Sequence, residues 1–113
     1  MDTTFQFHVS PADIERYYTR LKGFNAEHLR VAILGRSSAG WASAIVAAGL
    51  CDAMILPLDE TLSIREYKRI LNQSRCNCLI YSSGFEELAY MLKNTGTTTV
   101  SCYIRLQETA ASA

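Results

Sequence analysis

Residues 30–40, RVAILGRSSAG, decide how this chain folds. The first five of them are almost continuously apolar, which is typical of a strand that is buried on both faces, as in parallel sheets. Gly35 ends that run, and from Ala39 onward small and apolar residues recur at helical intervals. The stretch therefore predicts a strand over Arg30–Leu34, then a tight turn, then a helix over Ala39–Leu50.

The same alternation continues on both sides of this unit. Upstream, Ser10 as helix cap and Pro11 as first helical residue predict a helix that runs to about Lys22, with Gly23 as its stop. Downstream, the pattern predicts strands over residues 53–58, 78–81 and 97–106, and helices over residues 63–74 and 85–93.

Strands that alternate with helices predict an α/β fold, with a parallel sheet of about four strands and helices on both faces, in a Rossmann-like three-layer arrangement. The length of 113 residues indicates a single α/β domain or subdomain over residues 1–113, with a frayed tail over residues 107–113. Ligands of such sheets bind beyond the carboxyl ends of the strands. In this chain those ends lie near Gly35, Leu58, Ser82 and Arg105.

Charge and hydropathy restrict the partners and the compartment. Eleven basic residues balance eleven acidic ones, so we expect no binding to nucleic acid or to an anionic membrane surface. The most apolar stretch, residues 41–58, is interrupted by Ser43, Gly49, Asp52 and Pro57, and we expect no membrane span. The N-terminus lacks the basic start and apolar run of a secretory signal, so we expect a cytoplasmic protein.

Four cysteines, at positions 51, 76, 78 and 102, are then expected to be reduced thiols. Cys51, Cys78 and Cys102 have apolar neighbours, where a free cysteine behaves as a small hydrophobe. Cys76 and Cys78 would point to one face if both lay on a strand. No further ligands stand at zinc-site spacing, so we expect no metal site.

The turn after the first strand carries the only candidate binding residues. Gly35 and Gly40 have the G-x-x-x-x-G spacing of a phosphate loop, but the lysine that should follow is replaced by Trp41. Backbone N–H groups at the helix start, with Ser37 or Ser38 as cap, could still hold an anion. The alternative is that serine is there to cap the helix and glycine to turn the chain, with no ligand.

No catalytic residue is assigned. Ser37 lies one substitution from the nucleophile elbow G-x-S-x-G, yet no histidine follows His28, so a hydrolase in the usual order of serine, acid and histidine has no base. The acidic side chains form no pair whose spacing marks a general acid and a general base.

Several segments of the chain match, in order, the motifs of one enzyme family. Residues 30–34, RVAIL, are similar to a "drVai" strand, and residues 37–41, SSAGW, to "NSpeW". The later matches are residues 46–52 with "lAvlkaG", 53–59 with "avyvPLd", 66–74 with "erlayiledS" and 76–82 with "akvlitds". The run from Leu29 to Tyr81 therefore resembles the N-terminal part of the AMP-forming synthetase/ligase superfamily, with Ser37 in place of asparagine and Asp52 in place of glycine.

The resemblance implies a parent enzyme that activates a carboxylate with ATP and magnesium, to give an acyl-adenylate and pyrophosphate. In that family the phosphate loop, the aspartate that holds the ATP ribose and the catalytic lysine all lie downstream of the matching segments, and no position here corresponds to them. We therefore expect an N-terminal fragment or relic that is inactive alone, holds no cofactor, and associates with the remainder of such an enzyme or with itself. The alternative is an independent flavodoxin-like module that binds a small anionic or phosphorylated ligand at the loop with Ser37 and Ser38.

Overall fold

The computed structural model describes residues 9–24, 27–35, 39–95 and 98–106. In chain order its elements are α1 (Pro11–Phe24), β1 (Arg30–Leu34), α2 (Ala39–Leu50), β2 (Met54–Pro57), α3 (Ile64–Gln73), β3 (Cys78–Tyr81), α4 (Glu86–Thr95) and β4 (Cys102–Arg105). Each of these elements was predicted, and the bounds of β1, α2 and β3 match the predicted ones. The predicted tail, residues 107–113, lies outside the described residues.

The four strands form one parallel sheet in the order β2-β1-β3-β4. The chain steps one way from β1 to β2, and then back across β1 to β3 and on to β4. Because connections between parallel strands are almost always right-handed, opposite directions of winding place their helices on opposite faces. Accordingly, α1 and α2 cover one face of the sheet, and α3 and α4 cover the other. The predicted α/β fold with helices on both faces is confirmed.

The central strand β1 is buried on both faces. Val31 and Ile33 pack into the layer of α1 and α2, whereas Ala32 and Leu34 pack into the layer of α3 and α4, and all four are at most 1% exposed. Full burial of a valine, leucine or isoleucine side chain contributes roughly 1.5–3 kcal/mol. The continuous apolar run therefore favours folding only if both layers of helices are present.

Helix α2 lies close to α1 because its inner face is built of small residues. Ser43, Ala44, Ala47 and Ala48 are completely buried. The Ser43 Oγ accepts a hydrogen bond of 3.0 Å from the Ser10 backbone N–H, which fastens the start of α1 to α2. The small side chains of α2 thus set how near the two helices come.

The start of α1 agrees with the local sequence signals, and its end does not. The Ser10 Oγ accepts from the Asp13 N–H at 3.3 Å, so the predicted cap of α1 is confirmed. The predicted stop at Gly23 is wrong, because α1 continues to Phe24. Phe24 packs against the core, and this burial outweighs the low helix propensity of the glycine before it.

Helices α2 and α3 end in the same way, on a non-glycine residue with positive φ. Asp52 has φ 57° and Arg75 has φ 53°. In α3, the Cys76 N–H bonds the Leu71 carbonyl at 3.0 Å and the Arg75 N–H bonds the Asn72 carbonyl at 3.2 Å, which is the hydrogen-bond pattern of a Schellman motif. Glycine is the residue usually found at such a position, so Asp52 is a strained substitute for it.

Strand β4 is shorter than predicted. It covers Cys102–Arg105, whereas the pattern predicted residues 97–106, and Thr97 lies outside the described residues. Thr99 is used elsewhere: its Oγ1 donates to the Cys76 carbonyl at 2.6 Å, and its N–H donates to the Asn72 Oδ1 at 2.9 Å. These bonds tie the segment before β4 to the end of α3, so β-favouring residues there do not extend the strand.

Asn77 joins three strands at the amino edge of the sheet. Its side chain accepts from the Arg30 N–H at 2.9 Å and donates to the His28 carbonyl at 2.8 Å. Its backbone carbonyl accepts from the N–H groups of Ser101 and Cys102 at 3.0 and 3.1 Å. One residue thus aligns the starts of β1, β3 and β4.

Cys76 and Cys78 would share a face only if both lay on a strand, and Cys76 does not. Cys76 lies in the layer of α3 and α4, whereas Cys78 lies in the layer of α1 and α2. Cys76 precedes β3 and completes the end of α3, so the two-residue alternation of a strand does not apply to it.

Among the described residues, no helix is both long enough and apolar enough to cross a bilayer.

Candidate functional site

The candidate site is the carboxyl edge of the sheet, between β1 and β3. In open parallel sheets, ligands bind where the direction of winding reverses. In the order β2-β1-β3-β4 this reversal falls between β1 and β3. Gly35 follows β1 and Ser82 follows β3, so these two residues lie at the point of reversal.

Gly35 and Ser82 are in close contact. Gly35 has φ 155°, and a Cβ added to it would lie 2.6 Å from the Ser82 Cβ and closer still to its Oγ. Ser82 is 3% exposed, and its N–H donates to the Leu34 carbonyl at 2.9 Å. The two strands can therefore end side by side only because residue 35 has no side chain.

The loop between β2 and α3 carries its own carboxylates. The Asp59 carboxylate accepts from the Thr61 hydroxyl at 2.6 Å and from the Thr61 N–H at 2.8 Å, and these bonds lower the pKa of Asp59. In a capping box, the Glu66 carboxylate accepts from the Ser63 N–H at 3.0 Å, and the Ser63 Oγ accepts from the Glu66 N–H at 3.2 Å. Bonds from Ser63 lower the pKa of Glu66. The N-terminus of α3 is thus already occupied by a negative charge of the chain.

The loop between β3 and α4 is arranged similarly. The Glu86 carboxylate accepts from its own N–H and from the Gly84 N–H, the latter at 2.7 Å, and it pairs with the Arg105 guanidinium at 3.0 Å. These contacts, in that order, lower the pKa of Glu86. Arg105 stands at the end of β4, so the ion pair joins the last strand to the start of α4.

The described residues at this edge do not fit a nucleoside triphosphate and its magnesium. A triphosphate needs cations and free N–H groups. Here the carboxylates of Asp59, Glu66 and Glu86 already accept from the nearby donors, and the Arg105 cation is paired. Within residues 9–24, 27–35, 39–95 and 98–106, no three histidine, cysteine or acidic residues stand where they could hold a metal ion.

The two serines of the predicted anion loop, Ser37 and Ser38, lie outside the described residues. The structure places both flanks of their loop: Gly35 ends β1, and Gly40 is buried in the first turn of α2. Trp41 follows, half-buried, and packs against the core layer of α1 and α2. The anion site therefore stays a prediction.

Three grooves lined by described residues lie away from this edge. One of about 440 Å³ lies between α1 and the end of α2, against Ile14, Tyr18 and Leu50. Two others, of about 390 and 280 Å³, lie at the amino edge beside Arg30 and Met54.

Sequence reasoning located the edge of the site but missed its contacts. The sequence indicates only a turn at Gly35, whereas the structure shows that a glycine is needed there to accommodate Ser82. The sequence did offer a signal for Glu86, because an acidic residue in the first turn of a predicted helix is expected to cap it. Its pairing with Arg105 was not predictable, because that contact depends on the order of the strands.

No family model matches the chain, and no curated protein matches it by sequence. The anthranilate CoA ligase AuaEII, solved with anthranoyl-AMP, aligns with 83% of this chain at 21% identity and a TM-score of 0.73. The N-terminal domain of FACL13 from Mycobacterium tuberculosis aligns with 83% at 23% identity and a TM-score of 0.72. The long-chain-fatty-acid-CoA ligase FadD1 from Archaeoglobus fulgidus aligns with 97% at 14% identity and a TM-score of 0.69.

The chain has the fold of the N-terminal region of acyl-CoA ligases. It spans 18%, 24% and 24% of the lengths of the AuaEII, FACL13 and FadD1 chains, respectively. The FACL13 match shows that the shared piece belongs to the N-terminal domain of such an enzyme. The expected match to the N-terminal part of adenylate-forming enzymes is thus confirmed at the level of the fold.

The contact of Gly35 with Ser82 predicts that Gly35→Ala lowers the free energy of unfolding by about 2–4 kcal/mol, because the new Cβ clashes in a strained conformation. Urea denaturation measures this change. Gly23→Ala is the matched control: no atom lies within 4 Å of a Cβ there, and the residue is helical, so this variant should gain about 0.5–1 kcal/mol.

A double-mutant cycle separates the contact from the backbone strain. Ser82→Gly removes the atoms with which the new Cβ clashes, so Gly35→Ala should cost less in that background than in the wild type. Costs that simply add would contradict the proposed clash.

Proposed function

We propose that this chain is the N-terminal segment, as a fragment or a relic, of an AMP-forming ligase, and that it is inactive alone. The observation that carries the proposal is the structural match over 83% of the chain to a ligase solved with an acyl-adenylate, of which the chain spans only 18%. In a complete enzyme of this kind, ATP and magnesium would serve carboxylate activation. The residues of this chain would supply scaffold.

The sequence resemblance and the fold agree, because the matched motifs fall on the observed elements. The residues similar to "drVai" form β1, and those similar to "avyvPLd" contain β2. Asp52 stands where the family motif has glycine, and its φ of 57° is the conformation that glycine adopts without strain. The backbone conformation at residue 52 therefore explains why the family motif has glycine at this position, although this chain has aspartate.

The charges at the carboxyl edge support a scaffold role. The N-termini of α3 and α4 hold the chain's own carboxylates, Glu66 and Glu86, and the Arg105 cation is used in an ion pair. These contacts place a negative charge at both helix starts, and that charge disfavours a phosphate there. The groups that handle ATP would accordingly come from elsewhere in a complete ligase.

An exposed apolar surface supports the proposal that the remainder of such an enzyme, or a second copy of this chain, binds here. This α1–α2 surface consists of Pro11, Ile14, Tyr18, Val46 and Leu50. Val46 and Leu50 lie one turn apart on α2 and are 41% and 61% exposed. Contact with apolar side chains of a partner would remove this area from water. The cytoplasm is the compartment that fits such an enzyme segment.

Inactivity is tested by pyrophosphate release from ATP over a panel of carboxylic acids, with the purified chain alone. We expect no release above the rate without protein, because the described residues present no site for the triphosphate. An intact acyl-CoA ligase in the same assay is the positive control, and turnover by this chain would overthrow the proposal. The coding sequence beyond Ala113 gives a complementary test: a Ser/Thr/Gly-rich loop ending in lysine would support a ligase segment.

Association through the α1–α2 surface is tested by sedimentation velocity over a range of concentrations. We expect the wild type to form dimers or larger species and Leu50→Lys to shift the equilibrium toward monomer, because the charge would be desolvated in the contact. Tyr90→Lys is the matched control, since Tyr90 is 69% exposed but lies on α4, on the opposite face. A wild type that stays monomeric at the highest concentration, or equal effects of both variants, would contradict self-association through this surface.

A second candidate function is an independent module that binds a small phosphorylated ligand. The strand order β2-β1-β3-β4 is the beginning of the flavodoxin-like order, and the predicted anion loop with Ser37 and Ser38 leaves β1 beside its reversal point. Backbone N–H groups at the start of α2 would hold the anion.

Thermal shift with phosphate, nucleotides and flavins tests this second function. A bound ligand at about 100 times its dissociation constant adds about 2.7 kcal/mol to the free energy of unfolding, which raises the melting temperature. Ser37→Ala together with Ser38→Ala should reduce the shift, and Ser101→Ala, an exposed serine before β4, should not. A melting temperature that none of these ligands changes would contradict this second function.

A further inference from the structure

Two cysteines lie side by side on neighbouring strands. Cys78 begins β3, Cys102 begins β4, and the two residues are direct partners in the parallel register. Both side chains belong to the layer of α1 and α2, and their thiols are hydrogen-bonded to each other. Cys78 is fully buried, whereas Cys102 is half-buried at the rim of the core. The pair therefore has one protected member and one that solutes reach.

A cation stands at the exposed end of this pair. Arg20 of α1 reaches over the outer edge of β4, donates to the Tyr103 carbonyl at 3.3 Å and also hydrogen-bonds the Cys102 thiol. The hydrogen bond from Cys78 and the charge of Arg20 lower the pKa of Cys102 to about 7, while the same thiol contact raises the pKa of Cys78. Thiolate character therefore concentrates on the accessible member of the pair.

The positions allow a covalent bond between the two sulfurs. Neighbouring strands lie about 4.8 Å apart, within the range of about 4.4–6.8 Å that disulfides span between Cα atoms. The Cβ atoms of a disulfide lie somewhat closer than this spacing, so the strands must approach slightly. Strand β4 has only four residues and is an edge strand, so it pairs with β3 alone and can shift more readily than a central strand.

We propose that Cys78 and Cys102 form a reversible peroxide-responsive thiol site, in which Cys102 is the residue attacked first and Cys78 the one that resolves it. This site is independent of the proposed ligase ancestry. It lies at the amino ends of β3 and β4, away from the carboxyl edge where ligands of such sheets bind.

The oxidation takes place in two balanced steps. The Cys102 thiolate attacks a peroxide oxygen: an S–O bond forms, the O–O bond breaks, and the leaving alkoxide or hydroxide takes a proton to become an alcohol or water. The Cys78 sulfur then attacks the Cys102 sulfenic acid, so that an S–S bond forms and the S–O bond breaks. The proton of Cys78 leaves with the hydroxide as water. Both electrons that reduce the peroxide come from the two thiols, and a dithiol reductant returns the site to its starting state.

The other two cysteines are internal controls. Cys76 is buried in the layer of α3 and α4, on the opposite face from the pair, and Cys51 lies at the end of α2. Burial raises the pKa of both thiols. Neither is an in-register partner of Cys102 or of Cys78.

The test is peptide mapping of the folded chain after treatment with hydrogen peroxide at about ten equivalents, with free thiols then blocked by N-ethylmaleimide in denaturant. We expect a monomer that is about 2 Da lighter before the blocking step, that then takes up N-ethylmaleimide at two thiols, and that contains one dithiothreitol-sensitive link. Trypsin cuts after Arg75, Lys93 and Arg105, so the link should join peptide 76–93 to peptide 94–105. Fragmentation at Asn77 then distinguishes Cys78 from Cys76.

Variants assign the roles. Cys76→Ala and Cys51→Ala should keep the link, and Cys102→Ala should lose both the link and labelling by a sulfenic-acid probe such as dimedone. Cys78→Ser should lose the link and gain dimedone at Cys102. Arg20→Gln should slow oxidation several-fold, whereas Arg65→Gln, an exposed arginine on α3, should leave the rate unchanged.

The wild-type map decides the proposal even if Cys78→Ser does not fold. A link that includes Cys51 or Cys76, a disulfide between two chains, or four free thiols after peroxide would each overturn it. Dimedone at Cys102 together with the link between Cys78 and Cys102 would support it.

Discussion

The structure depends on the burial of its two central strands on both faces. Val31, Ile33 and Ile80 need one layer of helices, while Ala32 and Leu79 need the other. A single layer would leave half of these side chains in water. Right-handed connections supply both layers only if the chain winds in two directions, so the reversal between β1 and β3 follows from the burial requirement.

The two ends of this sheet have different chemistry. At the amino edge, Asn77 and Thr99 bond to backbone groups of neighbouring segments and hold the strands in register. At the carboxyl edge, Glu66 and Glu86 cap helices, and Gly35 admits Ser82. The first set aligns the strands, and the second occupies the described helix starts at this edge with the chain's own carboxylates.

Periodicity was sufficient to predict the fold class and every element, since each is long enough to show its own pattern. It failed where a distant contact outweighed a local signal: Phe24 carried α1 past a glycine, and Thr99 bonded to α3 and not to a strand. The pairing of Cys78 with Cys102 depends on the strand order, which no local pattern specifies. The edge that carries the candidate site was predictable from the general rule for parallel sheets, but the carboxylates that fill it were not.

The strand order also has a consequence for vectorial synthesis on the ribosome. Strand β1 is made before β2, and these two can pair as soon as α2 has emerged between them. The other edge of β1 waits for β3, which leaves the exit tunnel only after α3. During that interval the backbone N–H and C=O groups on one edge of the apolar strand β1 have no partner strand. A translational pause before Cys78 would prolong the period in which a chaperone can bind this strand.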